Sequence, residues 1–175
     1  MNFSTDFFAK AIKIIKPLRA TRRYTQRLIA DPGVVFALLC PVRECDWIEG
    51  WNPPLVISSS GFAEPDCVFI TTSNPQEPTN AIWYITRHEP ETGFIEMLRI
   101  TREVTACRLT IQLRAALGGS EADITYSHTS LGQLGDEFVA SFTEDYYRKF
   151  MLDWELRLNH YLRHASVLPT DLFTR

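Results

Sequence analysis

Between Leu55 and Thr129 the chain is cut into short apolar runs by turn residues. No gap between those runs is long enough for the crossover that parallel strands require. The runs are Leu55 to Ser60, Cys67 to Thr72, Ala81 to His88, Phe94 to Thr101, Val104 to Leu113 and Ala122 to Thr129. Gly61 and Pro65 separate the first two, and the proline-containing stretch Ser73 to Thr79 reads as a loop. Glu89-Pro90-Glu91-Thr92-Gly93 carries a hairpin signal, and Gly118-Gly119 marks another turn. The pattern predicts an antiparallel meander of about six strands, which cannot bury its apolar face alone.

The cover for that face is legible at the C-terminus. From Asp136 to His164 the apolar residues recur at the 3.6-residue period, with Tyr147, Phe150, Met151, Trp154, Leu158 and Tyr161 on one arc. A helix of that length spans about 42 Å at 1.5 Å per residue, enough to cross a wide sheet. Leu152 and Leu156 lie on the opposite side and need their own cover, from an N-terminal helix or a second subunit. Upstream, Ser4 or Thr5 caps a first helix with Phe8, Ala11, Ile12 and Ile15 on one face, and Pro17 stops it. Arg23 to Ala30 reads as a strand. Asp31-Pro32-Gly33 closes it and also suits the start of a short helix over Val34 to Leu39. The expected class is therefore α+β. Residues 1–175 form a single domain, with 1–18 appended to a core of 23–163.

Composition narrows the function classes. No run of 18 apolar residues exists, and Asp6, Lys10, Lys13 and Lys16 break up the N-terminus as a signal peptide. The four cysteines, Cys40, Cys45, Cys67 and Cys107, lack CxxC spacing and read as reduced thiols of a cytoplasmic protein. Residues 1–27 hold seven Lys and Arg against Asp6 alone, although the whole chain carries −3. Such a basic start suits peripheral contact with an anionic membrane, or simply a solvated helix face followed by a basic linker. The acidic remainder offers no basic strand surface, so nucleic-acid binding is not expected. Walker A, GxGxxG, GxSxG, HExxH and EF-hand patterns are all absent. The 12% aromatic content suits either a large core or an aromatic-lined cavity.

The order strand, short helices, strand meander and long helix resembles the START/Bet v1-like superfamily, the polyketide cyclase/dehydrase and lipid-transport (SRPBCC) group. The segment from Phe36 to Trp51, FALLCPVRECDWIEGW, is similar to a "vF.lL.Pv.E..W..gW" pattern of its bacterial branch. The resemblance covers roughly residues 23–163. It implies a helix-grip fold, in which a curved antiparallel sheet of six to seven strands wraps around the long C-terminal α-helix. Two short helices follow the first strand, and the N-terminal helix is an addition. It also implies an internal cavity for a hydrophobic small molecule, lipid or polyketide-like, with no cofactor and a monomeric or homodimeric state. The same fold hosts aromatase/cyclase and dehydratase-type enzymes and regulatory interaction modules, so fold alone does not choose among them.

Candidate ligand-binding residues follow from chemistry and alternation. The segment from Arg43 to Trp51 sets Arg43, Glu44 and Glu49 beside Trp47 and Trp51, so it reads either as a lid with polar handles or as a plug on the sheet's open end. His128 shares a strand face with Tyr126 and Ile124. The helix arc offers Tyr147, Met151 and Trp154. Both faces of Phe94 to Thr101 are mixed, which polar groups facing a cavity, a slipped register or a bulge would each produce. Tyr84 and Arg99 are the expected polar cavity residues. A catalytic pair of His128 with Glu96 is a further, weaker option. His160 and His164 have metal-binding spacing, but on a polar face where a solvated pair is the simpler reading. No catalytic or metal residue is assigned.

Overall fold

The computed structural model describes residues 14–72 and 79–169. Seven antiparallel strands form one sheet: β1 (Arg19–Leu28), β2 (Leu55–Ile57), β3 (Val68–Thr71), β4 (Ala81–Glu89), β5 (Phe94–Thr101), β6 (Thr105–Ala116) and β7 (Gly119–Ser130). Their spatial order is β1-β7-β6-β5-β4-β3-β2. Helix α1 (Pro32–Leu38) and a single 3-10 turn (Glu44–Asp46) follow β1, while α2 (Gln133–Ser141) and α3 (Glu144–His164) end the chain. This is the α+β helix-grip architecture. The expected N-terminal helix falls mostly on residues 1–13, outside the described residues, and 14–18 are exposed and not helical.

Three local departures from the sequence reading position the cavity. First, β1 begins at Arg19 rather than Arg23, because β7 pairs with it along its whole length, from Arg19 opposite Thr129 to Leu28 opposite Ser120. The arginines at 19, 23 and 27 alternate outward while Ala20, Gln26 and Leu28 turn inward. Second, the register between β4 and β5 shifts between Ile85 and Arg87. The extra residue, Thr86, flips the alternation, so Trp83, Ile85 and then His88 face inward. Without it Arg87 would point into the core.

Third, the expected helix from Asp136 to His164 is interrupted. Thr143 adopts an extended conformation and its Oγ1 accepts a hydrogen bond from the Tyr146 N–H at 3.2 Å, an N-cap with Glu144 and Asp145 in the first turn. The periodic pattern runs through this point, but capping ends one helix and starts another. α2 is pressed on the sheet at Gly135, where a Cβ would sit 1.9 Å from the Val104 carbonyl oxygen, so only glycine fits.

α3 is tied to β1 and β7 by side chains that reach backbone groups. Gln26 Nε2 donates to the Met151 carbonyl at 2.9 Å, and the Tyr147 hydroxyl donates to the Ile124 carbonyl at 2.9 Å. Asn159 accepts from the Ile29 N–H and donates to the Arg27 carbonyl. The first two satisfy buried polar groups that would otherwise cost about 1–3 kcal/mol each. Of the two leucines expected to need a cover, Leu152 is half-buried and Leu156 is exposed.

Candidate functional site

Between the inner face of β3–β7 and the two C-terminal helices lies a cavity of about 450 Å³, within the range of small-molecule sites. One wall is built by the segment after α1. Trp47 Nε1 donates to the Leu38 carbonyl at 3.0 Å and Trp51 Nε1 donates to the Pro41 carbonyl at 2.7 Å. These two indole bonds hold residues 38–51 against the sheet. Between them the Glu44 N–H donates to the Cys40 carbonyl at 2.9 Å, and the Glu44 carbonyl accepts from Ile48 at 2.8 Å. Glu44 is thereby fixed on the cavity wall, 6% exposed.

The opposite walls are aromatic. Phe69 and Trp83 stack at 5.4 Å between centroids, and Trp51 meets Phe69 edge-on at 6.5 Å. Arg99 lies over the Trp83 ring at 5.1 Å, a cation–π contact on a guanidinium only 8% exposed. On β7, His128 packs between Phe138 and Phe142 at 4.9 and 4.6 Å, and Tyr126 meets Phe150 at 6.1 Å. The helix break at Thr143 is what brings Phe138 and Phe142 over His128.

Burial sets the protonation of this site. Nothing offsets the desolvation of the Glu44 carboxyl, so its pKa is pushed up to about 8. Burial, reinforced by the Arg99 cation, pushes His128 down to about 3. Burial also raises the Tyr126 hydroxyl well above its usual range and lowers Arg99 from its ordinary value. Around neutral pH Glu44 and His128 are therefore neutral, Tyr126 keeps its proton and Arg99 is a cation. His128 Nδ1 has no hydrogen-bond partner among the described residues.

Of the residues nominated from sequence, Glu44, Trp51, Arg99, Tyr126, His128 and Trp154 line the cavity together. Trp47, Tyr147 and Met151 sit in the core beside it, fully buried, the first two with their polar atoms already bonded to backbone carbonyls. Tyr84 is a correction. It pairs with Leu98 on the outer face, and its hydroxyl bonds Asp66. Tyr84 and Arg99 cannot share a face, because the partner of Arg99 is Trp83. Glu96 is also on the outer side, where its carboxylate accepts from Thr86 Oγ1 at 2.8 Å, so no His128–Glu96 pair forms.

Sequence reading missed Phe69, Trp83, Met97, Phe138 and Phe142. For Trp83 the signal was available in its alternation with Ala81 and Ile85; Phe138 and Phe142 needed the helix break. The His160 and His164 rings lie 4.6 Å apart, tilted by 43°, and no group of three or more His, Cys, Asp or Glu among the described residues is placed to hold a metal. Cys40, Cys67 and Cys107 are buried and free, and Cys45 is exposed and free. No helix among the described residues is long and apolar enough to cross a membrane.

A seven-stranded antiparallel sheet packed on a C-terminal helix, with a cavity between them, is a helix-grip fold, and solved structures with this fold superpose on the chain. Norcoclaurine synthase from Thalictrum flavum matches with a TM-score of 0.64 at 10% identity, over 85% of this chain and 88% of that one. The same enzyme in complex with dopamine and hydroxybenzaldehyde matches at 0.59 and 14%, over 85% and 89%. A protein from Rhizobium leguminosarum matches at 0.59 and 15%, over 86% and 99%. Ara h 8.0201 matches at 0.57 and 16%, over 82% and 97%. At these identities the likeness is one of fold. No protein-family model matches the sequence. No curated protein matches it either.

Proposed function

We propose that this chain binds an apolar small molecule, lipid or polyketide-like, in the cavity between its sheet and α3. The observation that carries this reading is the cavity itself: about 450 Å³, walled largely by aromatic side chains from the sheet, the 38–51 segment and both C-terminal helices. Norcoclaurine synthase, which shares the fold, holds two aromatic compounds in one of its structures, which supports the same use of the space here. Native mass spectrometry of freshly purified protein tests it. Added mass that organic extraction releases as an apolar compound is the expected result. Protein that flies without added mass, and takes up none of a panel of fatty acids and polycyclic aromatics, rules it out.

A second reading, an aromatase/cyclase or dehydratase-type enzyme, is favoured by the presence of Glu44 and His128 in one cavity. A carboxyl near pKa 8 suits a general acid at neutral pH. An imidazole held near 3 is a poor base there, so binding without turnover is the leading reading. Incubating the extracted compound with fresh protein and following it by mass spectrometry separates the two: unchanged compound supports the binder, and a dehydrated or cyclised product supports the enzyme.

A further inference from the structure

We propose that the outer face of the sheet, on the side away from the cavity, docks on an anionic lipid surface. The observations behind it are separate from those behind the cavity reading. Leu55, Ile70, Ile82 and Ile100 are successive register partners across β2 to β5. Beside them runs a second row, Ile57, Val68, Tyr84 and Leu98. Ile70 and Val68 are half-buried and the other six are exposed. At about 4.8 Å per strand the block is about 14 Å wide, a contiguous apolar patch of the kind that marks an interaction surface. An open sheet face encloses nothing, so it suits an extended surface rather than a small molecule. β3, β4 and β5 are paired on both edges, so this part of the face presents side chains to lipid and no orphan backbone groups. Tyr84 supplies the apolar ring and polar tip common at membrane interfaces.

Charge chooses the occupant. Both rows run on into cations: Arg108 is the register partner of Leu98, and the first row continues through Ala106 and Thr129 to Arg19. Most arginines of this face are offset, Arg23, Arg27 and Arg114 by Asp123 and Glu121, Arg87 by Glu89, and Arg102 by Glu103. Arg108 and Arg19 are exposed and no carboxylate among the described residues pairs with them; Arg19 Nε donates to the neutral Thr129 Oγ1 at 2.8 Å. The same mixture continues where the chain enters β1, with Ile14, Ile15, Lys16 and Leu18 all exposed. The carboxylates beside the block are engaged, Asp66 by the Tyr84 hydroxyl and Glu96 by Thr86 Oγ1. A second copy of the chain would therefore bring the same two cations and no free carboxylate to meet them. An anionic bilayer complements both parts, since its headgroups attract the arginines while the apolar block enters the acyl boundary.

Co-sedimentation of the full-length chain with vesicles tests this, using phosphatidylcholine alone and phosphatidylcholine with about 30% phosphatidylserine at about 0.1 M salt. Binding to the anionic vesicles should be roughly tenfold tighter or more. Ile82→Thr with Leu98→Thr trims two exposed side chains to a residue that suits a strand, and should weaken that binding roughly tenfold. Arg108→Ser should weaken it about fivefold and leave binding to the neutral vesicles unchanged; as a single surface change it keeps the test open if the double variant melts early. Leu134→Ser with Leu156→Ser, on exposed leucines of α2 and α3, should bind like the unaltered chain. Absent binding to the anionic vesicles, or equal binding to both kinds, overturns the inference. Full binding by the Ile82→Thr/Leu98→Thr variant also overturns it and assigns attachment to the basic residues before β1. Loss confined to the Leu134→Ser/Leu156→Ser variant moves the contact to the helix side. A concentration-dependent dimer in analytical ultracentrifugation that Ile82→Thr/Leu98→Thr abolishes gives the strip to a second copy, and overturns the proposal as well.

Discussion

The two faces of the β4–β5 hairpin are both apolar, yet only one is core. Inward lie Trp83, Ile85, Ile95 and Met97, each nearly inaccessible, with Arg99 among them. Outward lie Ile82, Leu98 and Ile100, which are 52%, 40% and 42% exposed. The outward strip continues across the sheet, since Ile100, Ile82, Ile70 and Leu55 are successive register partners. Hydropathy would rank the outer face, all isoleucine and leucine at these positions, as the better core. What puts it outside is register: the helices cover one side only, and the Thr86 bulge commits Trp83 and His88 to that side. Arg99 ended up inside and Ile82 and Ile100 outside because an arginine over a tryptophan face can be stabilised in a cavity, whereas the helices cover only one side of the sheet.

The sharpest break between the faces is energetic. Ile85→Ala, in a fully buried side chain, should cost about 2–5 kcal/mol in urea unfolding, and Ile82→Ala on the neighbouring outer position less than about 0.5 kcal/mol. Comparable losses would mean that the outer strip is covered in solution.

Next in size is the pH dependence of the inner side. Between about pH 4.5 and 8 the unfolded chain has released the Glu44 proton while the folded chain keeps it, so stability falls as pH rises. Between about pH 3 and 6.5 the unfolded chain binds a proton that folded His128 refuses, so stability falls as pH drops. Each slope is about 1.4 kcal/mol per pH unit. From these two groups, the slopes cancel between pH 4.5 and 6.5, and stability should decline by about 2 kcal/mol from 6.5 to 8 and again from 4.5 to 3. Glu44→Gln should abolish the alkaline decline in thermal melts and leave the acid one. An unchanged alkaline limb would mean that Glu44 is hydrated.

The smallest effect concerns the helix break that closes the inner side. Thr143→Ala removes the N-cap of α3 and should cost about 1 kcal/mol. It should also loosen Phe138 and Phe142 over His128, visible as faster amide exchange in α2. Retained protection there would mean that Gly135 packing alone holds α2.

The strands from Ala81 onward were legible from sequence to within a few residues, β5 to the residue, because alternation and turn residues are local properties of the chain. Part of the cavity lining was equally legible. Tyr126, His128 and Trp154 were identified as bulky groups on faces that alternation or helical period already defined, and Glu44 and Trp51 as members of the charged, tryptophan-bearing segment from Arg43 to Trp51. Tyr84 failed because placing a residue on a face requires the register with its partner strand, which no single strand encodes.

By itself, then, the sequence determined that an antiparallel meander must be covered by a C-terminal helix, and that the segment from Phe36 to Trp51 carries charged residues beside two indoles. Only the tertiary structure decided which side of β4 and β5 is wet, that Thr143 splits the helix, and that Arg99, Glu44 and His128 line one cavity. The physical reason is the reach of the interactions. Periodicity and turn propensity act over a few neighbours, whereas register, cavity shape and the desolvation that fixes the charge of Glu44 depend on residues far apart in the chain.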